Sequence, residues 1–538
     1  MLKKLCAALL SAGMILAIAG GCNSSPAASS TSPVSVAEGE DPVDAVAEGE
    51  DPVDAVIAQR KESGQYPKIV MSAYNWTGTP AGIDRINKLM SDYTKEKLGI
   101  EYELLWLDSA SYQQSIRMML TSGEKLDLYQ VSPLGYSTAV SDGFCYDLET
   151  DDLIQTYGKG VLEGFDEHEF DAIRIGGKLY GLPHKRDLAI YPACIMIGEE
   201  YLDGIGFDYE SLYEDEYKEM IFTDLDTINE IFAQLHKKYP DKYVFSTAPN
   251  LISQGSTVDL IGGDNFGVLL DPANSLKVEN LFESEIFYER CNMVYEWNKL
   301  GYISQDAISD DTAVSARVKS GAYMSMLSQG KPGYKTQISG ECGRPMVVFC
   351  IEEEAFRPSS TTTSLLWCIN QNAEDPVAAM QIYNAIFTDP YLSNLICWGE
   401  EGKDYVKTED GHITFPEGVD SQNSEYYNIV NWELPNQFIA HVWEGDTLDI
   451  WDRTEEFNKN AVQSKAIGFT FDKSAYSAQF TALSNVYDEY EKQLQYGFAD
   501  PATTIPEMME RLNAAGLQEY MQAKQEALDK WAKEASVE

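Results

Sequence analysis

From Tyr66 onward the chain repeats an apolar stretch of strand length followed by an amphipathic stretch of helix length, and this alternation constrains its fold more than any other feature. A strand is predicted over Ile69 to Tyr74, a helix over Gly82 to Leu98, a strand over Ile100 to Leu107, a helix over Ser111 to Thr121 and a strand over Leu126 to Val131. Alternation of this kind builds a parallel-type sheet with helices on its faces. Further strands are expected over Ala189 to Ile197, Tyr243 to Ser246, Tyr323 to Leu327, Met346 to Ile351 and Leu365 to Ile369. Helices are expected over Asp224 to Tyr239, Phe282 to Leu300, and Pro376 to Phe387 with Asp375 as N-cap and Pro376 in the first turn. The last third reads as helical, near Leu448 to Ser464, Ala475 to Tyr496, Pro506 to Ala514 and Gln518 to Lys533, with Thr504 and Glu507 as a capping box for the third segment. A chain of 538 residues exceeds one ordinary core, so the expectation is two α/β lobes with a helical C-terminal region.

The N-terminus carries Lys3 and Lys4, an apolar run from Leu5 to Ala19, and then Gly20-Gly21-Cys22. Charge, apolar run and small residues in this order form an export signal over residues 1–21, and the cysteine marks it as a lipoprotein signal whose thiol at Cys22 takes the lipid. The apolar run is shorter than the about 20 residues a spanning helix needs. A Ser/Ala/Pro-rich stretch follows, then Val-Ala-Glu-Gly-Glu-Asp-Pro-Val-Asp-Ala at 36–45 and again at 46–55. Dense negative charge with Pro and Gly buries too little surface to offset chain ordering, so residues 22–66 are expected to be a disordered, self-repelling spacer. The repeat lacks the ligand spacing of a calcium loop.

The net charge is −46, and two units more negative once Lys3 and Lys4 leave with the signal. That balance argues against nucleic acid and against broad contact with an anionic membrane, leaving the lipid as the only membrane attachment. Beyond Cys6 and Cys22, the cysteines Cys145, Cys194, Cys291, Cys342, Cys350, Cys368 and Cys397 show no C-x-x-C spacing and sit mostly in apolar strings, where a thiol behaves as a small hydrophobe. No disulfide framework is read from them, although a single pair such as Cys342 with Cys350 stays open. The five histidines are scattered without zinc spacing, and no G-x-S-x-G elbow occurs, so neither a metal nor any other cofactor is expected.

Several phrases together resemble the family-1 extracellular solute-binding proteins, the lipid-anchored receptors of bacterial ABC importers. They are Ser122-Gly123-Glu124-Lys125-Leu126-Asp127-Leu128, the run from Glu169 to Pro183, Trp398-Gly399-Glu400-Glu401-Gly402-Lys403-Asp404-Tyr405, Asn431-Trp432-Glu433-Leu434-Pro435-Asn436-Gln437-Phe438, and the tail from Gly468 to Gly516. The resemblance implies a two-lobed periplasmic-binding-protein-like fold of type II, a cleft that closes on a sugar, most simply an oligosaccharide, and docking of a monomer on the transmembrane permease subunits. It is taken to divide the chain into lobe one at 67–186 plus 306–358 and lobe two at 187–305 plus 359–538.

Ligands of open α/β sheets sit beyond the carboxyl ends of the strands. A sugar ring offers an apolar face of C–H groups and a fringe of hydroxyls, so it calls for aromatic platforms beside planar polar partners. The first strand gives out at Asn75 and Trp76, the second leads to Asp108 and Tyr112, and the crossover carries Lys185-Arg186-Asp187. Arg186 and Asp187 suit either paired bonds to hydroxyls or an internal ion pair that steadies the hinge. The loop Ser328-Gln329-Gly330-Lys331-Pro332-Gly333 resembles an anion cradle but lacks nucleotide-loop spacing, and Gln329 is its candidate contact. From the expected lobe two, Trp398, Trp432, Asn436 and Trp443 complete the candidate set. Three other readings stand beside an importer receptor: a surface glycan-binding lipoprotein without transport, a receptor for a peptide or another non-sugar solute, and an exported glycosidase. The last needs a carboxylate pair about 5–9.5 Å apart.

Overall fold

The computed structural model describes residues 51–537 apart from 76–78, 109–110, 166, 215, 311, 421–422, 428–430 and 535–536. The signal, Cys22, the first decapeptide and Trp76 therefore lie outside the described residues. No helix among the described residues is long and apolar enough to cross a membrane.

The principal strands are β1 Lys68–Asn75, β2 Glu101–Asp108, β3 Leu128–Gln130, β4 Tyr191–Gly198, β5 Ile221–Phe222, β6 Tyr243–Ser246, β7 Tyr323–Gly330, β8 Met346–Cys350 and β9 Trp367–Ile369. They form one sheet in the order β9-β3-β1-β2 and a second in the order β5-β8-β4-β7-β6. β1 pairs in parallel with β2 over its whole length, from Lys68 opposite Glu101 to Asn75 opposite Asp108. Helix Ile83–Leu98 covers this sheet because Ile86, Met90 and Thr94 recur at helical spacing on one buried face. Each sheet has its own core, one built around Ile69, Leu104 and Trp367 and the other around Ile195, Phe245 and Phe349.

Both sheets are mixed. β9 runs antiparallel to β3, and β4 runs antiparallel to β7 and β8. The reason lies in where these strands enter. β4 and β9 each follow a crossover from the other sheet, so they start at the cleft edge, whereas β1 to β3 finish there.

This pairing also corrects the expected division of the chain. β7 and β8, assigned by sequence to lobe one within 306–358, pair with β4 in the second sheet, and β9, assigned to lobe two, pairs with β3 in the first. The chain thus leaves lobe one near Arg186, returns near Leu366, and crosses again where Val462–Gln463 pairs with Phe356–Arg357.

The tail joins lobe two. Helices Ser477–Gln495, Pro501–Ala514 and Leu517–Glu534 share a core with residues between Ile252 and Cys291. Lys524 pins this union: fully buried, its Nζ donates to Ile261 O at 3.0 Å, Asp264 Oδ1 at 2.8 Å and Gly267 O at 2.9 Å. Burial pushes its ammonium down to about 8 while Asp264 holds it up. The expected capping box at Thr504 is not what opens the second of these helices. It starts at Pro501 under Asp500, whose Oδ1 accepts from Ala502 N at 2.9 Å.

The spacer is shorter than the sequence suggests, because Pro52–Ser63 forms a helix capped by Asp51. Arg60 anchors it in lobe one, donating to Gln381 Oε1 at 2.6 Å and Asp375 Oδ2 at 3.1 Å. The cysteines need a second correction, since Cys194 of β4 and Cys350 of β8 form a disulfide directly across the antiparallel pair. Cys342, the partner left open for Cys350, is free and buried. Gly330 lies on this bridge: a Cβ there would stand 2.8 Å from Cys350 Sγ and 2.9 Å from Cys194 Sγ, so only glycine fits.

Candidate ligand-binding cleft

Where β7 ends against lobe one, a cleft of about 270 Å³ opens with walls of different chemistry. Lobe one supplies rings, a correction to the expected placing of Trp398 and Trp443 on lobe two, since both pack in the core of the first sheet. Trp398 ends helix Pro390–Trp398, and its ring centroid lies 5.3 Å from Trp443, which in turn lies 5.2 Å from Tyr427. Phe415 backs both Trp443 and Tyr427 at 4.8 Å, so the platform is held by ring packing. Trp398 is 4% exposed, and its indole Nε1 has no hydrogen-bond partner among the described residues.

Lobe two supplies polar groups. Lys331 follows β7 directly, and Thr336 and Gln337 come from helix Tyr334–Cys342. Gly333 turns the chain between them at φ +74°, and its N–H donates to Glu219 Oε2 at 3.3 Å. That carboxylate, itself doubly bonded by Arg453 at 2.7 and 3.1 Å, already occupies the donor an anion would need, which removes the phosphate reading of this loop.

The floor is the crossover. Asp187 forms a buried ion pair with Lys331, and its backbone N–H donates to Gln437 Oε1 at 3.1 Å. Arg186 stands beside it at 3.5 Å, with burial holding its guanidinium below its ordinary value. Asp446 closes the rim; burial raises its carboxyl to about 6, and its Oδ1 has no partner among the described residues. Unpaired indole N–H and carboxyl oxygen, aromatic faces and a charged floor together suit a ligand that is apolar on its faces and hydroxylated at its edge.

A Streptococcus pneumoniae serotype 4 protein described as a carbohydrate ABC transporter substrate-binding protein is 22% identical over 461 residues, covering 85% of this chain and 89% of that one. The crystal structure of the N-glycan transport solute binding protein NgtS from the same species matches with a TM-score of 0.75 at 22% identity, over 87% of this chain and 99% of that one. The fold is that of the two-lobed solute-binding proteins. The NgtS structure in complex with Man1GlcNAc matches at TM-score 0.72 and 20% identity, over 87% and 100% of the two chains. Residues 465–533 match a family described only as a domain of unknown function, DUF3502.

Of the residues singled out by sequence, Asp187 and Trp398 line the cleft, as does Trp443, and Arg186 supports its floor. Asn75 and Asp108 end their strands side by side, with Asp108 exposed. The others are corrected. Tyr112 is fully buried: its hydroxyl lies 2.9 Å from Ser72 Oγ and accepts from Gln130 N at 3.0 Å, and its ring stacks on Tyr74, so it braces the core. Gln329 is still within β7 and does not line the cleft, a place taken by Lys331. Asn436 spends both ends of its amide on backbone, donating to Phe387 O at 3.0 Å and accepting from Phe438 N at 3.0 Å. Trp432 is half-buried and does not line the cavity. Beside Trp432 and Asn436 it is the neighbours Asn431 and Gln437 that line the cavity, and two short helical turns, Asn431–Glu433 and Gln437–Ile439, set that phase. Tyr427, Thr336 and Asp446 were not singled out; the run Trp443-Glu444-Gly445-Asp446, ring and carboxylate around a glycine, carried the signal.

Proposed function

We propose that this chain is the extracytoplasmic substrate-binding protein of an ABC importer, anchored by lipid on Cys22, that captures an oligosaccharide between its lobes and presents it to the permease subunits. It works as a monomer, without cofactor and without catalysis. The observation that carries this reading is the opposition, across one cleft, of the Trp398, Tyr427 and Trp443 rings to Lys331, Thr336 and Gln337. The S. pneumoniae relative is described as a carbohydrate receptor and the NgtS structure holds Man1GlcNAc, which supports a sugar over a peptide.

A ligand favours closure only through extra affinity for the closed state, so groups from both lobes must touch it. The rings take the apolar face of the sugar first. Rotation about the crossovers then brings the polar wall onto its hydroxyls. The test is a thermal-shift screen of the mature protein against mono- and oligosaccharides with peptides as controls. A ligand at a hundredfold excess over its Kd adds about 2.7 kcal/mol of stability. A sugar-selective shift is expected; a shift from peptides alone would overturn the carbohydrate assignment.

A further inference from the structure

A second cavity, about 550 Å³, lies between lobe one and the C-terminal region. We propose that residues 465–533 wall a second subsite of the same cleft, which takes the outer residues of a long or branched neutral glycan. This inference rests on the carbohydrate reading above.

Size gives the first argument. At about 270 Å³ the aromatic cavity is below the roughly 300–1,000 Å³ of ordinary ligand pockets, so it seats one end of an oligosaccharide. The second cavity has twice that room.

Connection gives the second. Arg186 Nη2 donates to Ser364 Oγ at 3.0 Å, and Ser364 lines the second cavity. The same guanidinium is 3.5 Å from Asp187, which lines the first. One arginine on the crossover thus ties a wall residue of the first cavity to a wall residue of the second.

Chemistry sets the class of ligand. Thr138 of lobe one and Ser360 and Thr363 of the crossover bring hydroxyls, and Phe480 of the tail brings a ring. Lys473 is the tail's cation here, but it is 3.0 Å from Asp264 and 4.5 Å from the centre of the Phe480 ring. A cation so paired has little call for an anionic ligand, so a neutral polyol fits. Mechanics completes the case. Lys524 fixes the tail to residues 261–267 of lobe two, and Val278 N donates to Gln525 Oε1 at 2.6 Å, so a ligand held between tail and lobe one also spans the moving parts.

The test is calorimetric titration of the full mature chain, Thr138→Trp and Phe480→Ala with two probes, Man1GlcNAc and Man5GlcNAc. Thr138 is exposed on a short helix, so the tryptophan fills the cavity without entering a core. The expected result is a loss of about tenfold or more in affinity for Man5GlcNAc in both variants, with Man1GlcNAc within about twofold of wild type. Equal losses for both probes, or no loss for either in folded variants, would overturn the subsite while leaving the carbohydrate reading intact. If wild-type protein bound neither probe nor any other glycan, the carbohydrate reading would fall and the subsite with it.

Discussion

The two walls of the cleft hold their shape by different means. On lobe one, Trp398, Tyr427, Trp443 and Phe415 brace one another ring against ring, which holds the half-buried Tyr427 and Trp443 in place. On lobe two, Lys331, Thr336 and Gln337 ride on the end of β7 and the helix after it, held by the Asp187 ion pair below and by Glu219 and Arg453 behind. On the carbohydrate reading proposed above, the apolar wall would give affinity to any sugar with an open C–H face, and the polar wall would select among hydroxyl patterns on closure.

The largest expected effect breaks the polar wall. Lys331→Met leaves Asp187 buried with only Arg186 at 3.5 Å, and removal of one partner of a buried pair costs about 3–5 kcal/mol, read as a fall in the urea midpoint of unliganded protein. An unchanged midpoint would show that the pair does not hold the loop. Trp443→Ala breaks the other wall. It should weaken glycan binding by about 1–3 kcal/mol in calorimetry, the scale of losing one aromatic face.

A pH series sharpens the comparison further, because Asp446 titrates between the walls. Its folded pKa of about 6 is above the ordinary carboxyl value, so its contribution to stability is fully present below about 4 and is lost as pH rises through 6. Asp446→Asn should remove that slope from the unfolding midpoint and flatten any step in glycan affinity near pH 6. The smallest effect lies at the tether. Deletion of residues 36–50 should leave affinity and midpoint unchanged, whereas a deletion extended to Ser63 discards the bonds of Arg60 to Asp375 and Gln381 and lowers the midpoint.

Local periodicity made much of this legible in the sequence. β1, β2 and the helix between them fall within a residue of their expected bounds because each carries a clear apolar period. Pairing across long separations was not legible: Leu365 to Ile369 reads as a strand, but nothing in it says that it returns to β3. Cys194 and Cys350 are 156 residues apart, and their apolar surroundings are equally those of free thiols. At the site, the family resemblance pointed to the crossover that carries Asp187, whereas the choice between Asn436 and Gln437 depends on the twist of one short turn, which composition does not encode.

The most direct test of a glycan gripped between a ring wall and a polar wall is a crystal structure of the protein with Man5GlcNAc. A sugar ring stacked on Trp443 or Tyr427, with its hydroxyls bonded to Lys331, Thr336 or Gln337, is the expected result. A glycan bound elsewhere, or held by one lobe alone, would contradict it.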